Sequence, residues 1–233
     1  MSFDSHVFWA ALFSWPIFDG ALISLALTIA SHAVGIALGL FLALLGAARA
    51  RPLRTFATIY IWLFRGAPTL LQLLFVWNAL PQLLPVFRQH WFTPFLAAWL
   101  ALSLNEAAYQ AEISRAALAS VPREQRDAGF ALGLSRAQCF RLVLLPQAIR
   151  VAIPPTANEF ITLLKVTSLA SVISLQELLA VTTREISVTF RFTELYTVAL
   201  IYYLAIVSAL MLGQSWLERH FGAGQATTRH THG

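Results

Sequence analysis

Residues 120–155 read SVPREQRDAGFALGLSRAQCFRLVLLPQAIRVAIPP, the one long polar interruption in a very apolar chain. Seven charged side chains (Arg123, Glu124, Arg126, Asp127, Arg136, Arg141, Arg150) crowd into it, while its flanks are almost charge-free. Charges at that density are too costly to strip of water in hydrocarbon, so the stretch belongs in water or against another protein. Its local signals predict two short helices joined by a turn. Pro122 suits a first helical turn, where its missing N–H is not needed, and Gly133 can take the left-handed conformation that ends a helix. Ser135 followed by Gln138 fits a capping box, which starts a second helix near Arg136. Phe140, Val143 and Leu144 then recur at helical spacing until Pro146 removes a backbone donor and bends or ends the helix. The loop, about 120–154, therefore reads as a compact helical knob.

Outward from the knob, composition decides the class. Of 233 residues 58% are hydrophobic and only 12% charged, which describes an all-α polytopic membrane protein forming a single domain over 1–233. Residues 20–48 contain no charge, and 29 helical residues at ~1.5 Å each exceed a ~30 Å hydrocarbon core. Further spans are expected at about 55–80, 92–115, 155–180 and 194–217, five in all. The second is an interfacial helix or the start of a bent span, because it stops at Arg65, Gly66 and Pro68. Pro154 and Pro155 mark the start of the fourth, Gln176 and Glu177 its far boundary, and 181–193 an external segment. Gly35 and Gly39 form a GxxxG pair, with Gly46 near the same face, that lets another helix approach closely, within the chain or across a dimer.

Arginine placement gives the orientation. Arg49, Arg51 and Arg54 follow the first span directly, so the N-terminus is expected outside and the C-terminus inside. Five spans then leave eleven Lys and Arg in inner segments and three in outer ones. A net charge of +5 distributed by topology, with no basic stripe, gives no reason to expect nucleic acid. The first twenty residues hold no Lys or Arg, and so lack the positive region of a secretory signal. The single cysteine, Cys139, excludes an internal disulfide and any zinc pattern, and no metal site is expected.

Polar residues inside apolar runs are the candidates for a translocation route. They are Arg65, Gln72, Asn105, Glu106, Tyr109, Glu112, Lys165, Thr167 and Ser168. Glu106, Tyr109 and Glu112 step by three along one helix and so share roughly one face. Arg65 either snorkels toward headgroups or helps close an inner gate, and Lys165 either packs its stem or lines the route. His32 reads as a packed or interfacial residue, and the RHTHG tail as a flexible end.

The knob resembles the cytoplasmic motif of membrane subunits of ATP-binding-cassette (ABC) importers: Glu-Ala-Ala, three residues, Gly, nine residues, Ile, one residue, Leu-Pro. Here Asp127, Ala128, Gly129, Gly133, Val143, Leu145 and Pro146 keep every spacing, with Leu134 beside the glycine. Asp keeps the charge and Val the shape, whereas Gly129 for the second Ala loosens the helix by up to about 1 kcal/mol. LFRGAPTLLQLLF (63–75), AAYQAEISRAAL (107–118), LLPQAIR and LLKVTSL (163–169) look like the polar amino-acid branch, over roughly residues 20–215. That branch usually has an acidic residue where this chain has Val166, so a role for that carboxylate does not transfer.

The resemblance implies a type I ABC importer permease fold in the bacterial inner (cytoplasmic) membrane. The knob would dock on cytoplasmic ATPase subunits that carry ATP and Mg, with no cofactor on this chain. An external solute-binding protein would deliver a polar amino acid, a second permease chain would complete the pathway, and lipid would surround it. Independently, no glycine-rich GxxxxGK[ST] loop exists here, so energy has to come from another subunit. An ion-gradient-driven secondary transporter would call for inverted repeats and midplane acids; no repeat is evident. A hydrolase using Ser135 lacks a positioned base, and that hydroxyl is already accounted for as a cap.

Overall fold

The computed structural model describes residues 3–221, and every regular element among them is helical. In order these are α1 (Ser5–Leu12), α2 (Trp15–Gly46), α3 (Arg51–Gly66), α4 (Thr69–Leu74), a π turn (Phe75–Ala79), α5 (Leu80–Leu83) and a 3-10 turn (Pro85–Arg88). Then follow α6 (Pro94–Ser120), α7 (Arg123–Ala131), α8 (Arg136–Cys139), a second π turn (Phe140–Leu144), α9 (Leu145–Val166), a 3-10 turn (Thr167–Ile173), α10 (Leu178–Thr189) and α11 (Phe192–Phe221). The expectation for the RHTHG tail falls outside the described residues.

The helix α6 is the axis of the fold. Thr93 caps it, accepting the Leu96 N–H at 3.3 Å, and Pro94 occupies its first turn. Ala97, Ala98, Ala101, Ala107, Ala108 and Ala111 are completely or almost completely buried, so its neighbours approach the backbone. On one side lies α2, in the closest seam of the molecule. A Cβ on Gly39 would stand 2.5 Å from Gln110 Cβ, and one on Gly35 would overlap Glu106 Cγ. The GxxxG pair thus serves packing within the chain, while Gly46 has nothing within 4 Å and takes no part. Helix α3 lays Ala57 against Leu42, Ala107 and Ala111, and α9 packs on α2, α6 and α11.

Among the described residues, α2 and Phe192–Leu217 of α11 are long and apolar enough to cross a bilayer. Two more candidates are bent: α3 with Thr69–Leu83 by 104°, and Arg136–Ile173 with α10 by 48°. The first bend is local chemistry. Ala67 precedes Pro68 and is held extended (φ −86°, ψ 139°), as a residue before proline prefers. The residues expected as the span 92–115 fall on α6, which its neighbours enclose and which is not among the helices apolar enough to cross a bilayer by length and composition.

The structure sharpens three expectations. Pro154 and Pro155 do not start a helix; they lie inside α9, which begins at Leu145. Neighbours on three sides hold the backbone helical against its local preference, as they do for prolines in membrane bundles. Pro146 does not end the preceding helix either. A π turn precedes it, in which the Leu145 N–H donates to Phe140 O and the Gln147 amide to Val143 O at 2.9 Å. The same device precedes Pro81, with Leu80 N–H on Phe75 O and the Asn78 amide on Leu74 O. Finally, the stretch expected as an external segment is helical over 181–189 as part of α10, exposed on most of its surface, and Glu177 is fully buried as its N-cap, accepting the Ala180 N–H at 2.7 Å.

Helix α1 was not expected from the sequence. Asp4 caps it through the N–H groups of His6 (3.0 Å) and Val7 (3.3 Å), while its own N–H donates to Glu194 at 2.8 Å. The Arg191 guanidinium lies 3.4 Å from the Asp4 carboxylate, and Tyr202 donates to Leu12 O at the far end. The Val7 N–H foremost, then the His6 N–H and Arg191, hold the Asp4 carboxyl below its ordinary 3.8.

Candidate functional site

The knob is built by two interlocking termini. Helix α7 closes in a Schellman turn: Gly133, at φ +80°, donates to Phe130 O (2.9 Å), and Leu134 donates to Gly129 O (3.1 Å). Helix α8 opens with the capping box, Ser135 N–H on Gln138 Oε1 at 2.9 Å and Gln138 N–H on Ser135 Oγ at 3.4 Å. Buried Cys139 holds the two halves together, its thiol 3.6 Å from Arg126 O. A Cβ on Gly129 would stand 3.0 Å from that sulfur, which accounts for glycine where the motif has alanine. Sequence alone assigned that glycine only a cost in helix propensity.

What the knob exposes is mixed. Asp127 and Ala128 face outward with Arg123 and Arg126, yet Leu132 is 83% and Leu142 62% exposed, and Phe130 is exposed beside them. The outer face of the knob therefore mixes large apolar side chains with arginines. Val143, Leu145 and Leu134 are half-buried, and Pro146 is exposed at the start of α9. Helix α8, the π turn and α9 form one continuous segment from the knob into the bundle.

The nine pathway candidates separate into two groups. Gln72 and Asn105 are buried at the α3–α4 break. Gln72 Nε2 donates to Phe64 O and Ala67 O, both at 2.9 Å, and Asn105 Nδ2 to Phe64 O at 3.0 Å and to Gln72 Oε1 at 3.2 Å. They satisfy carbonyls that the end of α3 leaves unpaired. Thr167 is buried and donates to Leu164 O at 2.7 Å. Glu106, 2% exposed, turns into the α2–α6 seam and does not share an open face with Tyr109 and Glu112.

Arg65, Tyr109, Glu112, Lys165 and Ser168 remain exposed or half-buried. The Arg65 guanidinium sits 5.4 Å over the Tyr109 ring, and Glu112 pairs with Arg115 at 2.8 Å. Ser168 Oγ donates to Lys165 O at 2.7 Å. Half-buried Glu159 lies within electrostatic reach of Arg65, Glu106 and His32, a grouping that its place in the sequence does not announce.

The seam holds a second polar group. His32 Nδ1 lies 2.9 Å from Glu106 Oε1, and Gln110 Nε2 donates to the same oxygen at 2.8 Å. Thr156 Oγ1 donates to Gln110 Oε1 at 3.1 Å, and the Phe160 ring meets the imidazole edge-on at 5.1 Å. His32, expected as a packed or interfacial residue, lies buried against a carboxyl group 74 positions away. Among the described residues no group of three His, Cys, Asp or Glu side chains could hold a metal ion.

Residues 35–222 match the family model of the binding-protein-dependent transport system inner membrane component. The chain is 38% identical over 229 residues to the arginine transport system permease protein of Corynebacterium glutamicum, covering 93% of this chain and 72% of that one. To the octopine transport system permease protein of Rhizobium meliloti it is 38% identical over 230 residues, covering 94% and 93%. The crystal structure of an amino acid ABC transporter with histidines superposes with a TM-score of 0.83 at 34% identity, covering 94% of this chain and all of that one.

Proposed function

The chain belongs to the family of binding-protein-dependent transport system inner membrane components, and from that premise we propose that it carries a polar amino acid into a bacterial cell as the multi-pass membrane subunit of an ABC importer. The knob docks on a cytoplasmic ATPase subunit, which holds the ATP and Mg; an external solute-binding protein delivers the solute. Five crossings, α2, the bent α3–α5, α6, α9 and α11, put the N-terminus outside and the knob inside. A second permease chain, identical or related, completes the pathway, since five helices are few to enclose one. Closure of the ATPases on ATP moves the knobs, and α9, continuous with the knob, tilts with them.

One observation carries this reading: a rigid, doubly capped knob that exposes Leu132 and Leu142 among arginines and runs unbroken into the bundle. Arg65, Tyr109, Glu112, Lys165 and Ser168 line the route, while Gln72, Asn105, Glu106 and Thr167 hold its helices in place. The arginine and octopine permeases among its relatives support a polar amino acid or an amino-acid derivative as the solute. Exposed Asp127 sits on the docking face, so Asp127→Lys is expected to abolish co-purification of the partner ATPase while membrane insertion stays normal. Undiminished co-purification would overturn the docking role.

A further inference from the structure

The polar seam does more geometrically than fill space. Thr156 stands on α9, Gln110 and Glu106 on α6, and His32 on α2, so three consecutive hydrogen bonds of 3.1, 2.8 and 2.9 Å join three helices in one line. The directions are consistent throughout. The Thr156 hydroxyl donates to the Gln110 carbonyl oxygen, and the Gln110 amide donates to Glu106 Oε1. With that oxygen already accepting, His32 satisfies it as a second donor through Nδ1–H. Phe160, one helical turn beyond Thr156, closes the line by meeting the His32 ring, so α9 touches both ends.

Two features set this line apart from ordinary packing. The close α2–α6 approach is built around it, since any side chain at Gly35 would overlap Glu106. In addition, α9 is the helix that issues from the knob without a break, whereas α2 joins it through no nearby stretch of chain. Alanine or leucine at Thr156 and Gln110 would serve a seam that needed only apolar contact. A carboxyl group buried at this depth requires donors that stay with it as the helices move.

We propose that the line Thr156–Gln110–Glu106–His32 is the linkage through which displacement of the knob reaches the first span, with Thr156 and His32 as its positioning residues. The proposal rests on the importer reading given above. Displacement of α9 draws on Gln110 through Thr156, and Glu106 passes it to α2 through His32. A broken line leaves ATP hydrolysis intact but largely wasted, because α2 then follows α9 only through direct packing such as that of Phe160 on His32.

The test uses the whole complex, with its partner ATPase and solute-binding protein from the same organism, reconstituted in vesicles and supplied with arginine and glutamine as probe solutes. Solute uptake per ATP hydrolysed is the readout, since simple loss of assembled protein lowers uptake and hydrolysis together and leaves the ratio alone. Thr156→Val, which keeps the shape and removes the donor, is expected to lower uptake per ATP about fivefold or more. Thr156→Ser restores the ratio. His32→Leu lowers it to a similar extent, and the double variant is no worse than either single one, as members of one linkage behave. His32→Gln with Glu106→Gln, a neutral pair still able to hydrogen-bond, retains coupling.

A wild-type ratio in Thr156→Val, or losses in the two single variants that simply multiply in the double, overturns the linkage. If His32→Leu fails to assemble, Thr156→Val against Thr156→Ser decides alone. Absence of ATP-driven uptake in the unaltered complex instead overturns the importer reading, and the linkage with it.

Discussion

In the knob, Ser135 finds Gln138 three residues away and Gly133 closes onto Phe130; in the seam, His32 finds Glu106 across 74 residues and Thr156 finds Gln110 across 46. The knob is secured chiefly by backbone groups and caps, and it leaves its apolar side chains outside. The seam is secured by side chains meeting between helices whose backbones nearly touch. A surface that stays exposed needs local rigidity. A surface that stays closed needs small residues opposite large ones and partners for its buried polar atoms; among the described residues the buried hydroxyls of Ser31 on α2 and Ser103 on α6 are left without one.

This contrast breaks most readily at Gly35. Replacing it with leucine drives a side chain into Glu106 and forces α2 from α6. Overpacking costs about 1–3 kcal/mol or more, and the melting temperature in detergent should fall by several degrees. Gly46→Leu, on the same helix with open space around it, should leave the melting temperature unchanged. Equal effects at both positions would show that the seam is not the tight contact of the fold.

In the knob the corresponding loss is smaller and local. Ser135→Ala removes the cap of α8 and should cost about 1 kcal/mol. It should speed amide exchange over residues 135–140 while leaving the bundle's exchange untouched. Gly129 allows a finer comparison. Gly129→Ala gains helix propensity but presses on the Cys139 sulfur, so alone it should do little or harm slightly. Combined with Cys139→Ala it should recover up to about 1 kcal/mol of helix stability. Denaturation of the two variants and their combination measures the coupling.

The smallest expected effect lies at the N-terminal end. Asp4 is held below its ordinary 3.8 by the α1 cap and Arg191, so its stabilising contribution is complete above that value. It is lost as pH falls through the lower value of the folded state. Acidification toward pH 3 should therefore loosen α1 and change the emission of Trp9, which stacks on Phe13 at 6.1 Å. Asp4→Asn should remove that pH dependence.

The same contrast explains what was legible in the sequence. Helices α2 and α11 follow from long charge-free runs, and both ends of the knob from caps that act within four residues, so the all-helical class and the knob's termini could be read directly. Glu106 was misplaced by its three-residue step to Tyr109, because periodicity groups residues by face but does not say which face a neighbour covers. The reach of α9 through Pro154 and Pro155 was hidden for the same reason, since α2, α6 and α11 hold that backbone from outside. The capping role of Glu177 had a local signal, an acid just ahead of a helical run. Helix α1 carried an equally local one, Asp4 before an apolar helix of eight residues.

The most direct trial of the account is uptake of labelled arginine or glutamine by vesicles containing this chain, with a partner ABC ATPase and a solute-binding protein from its own organism added or withheld. We expect uptake only when both partners and ATP are present, and none from an imposed proton or sodium gradient. Gradient-driven uptake by the chain alone would contradict it.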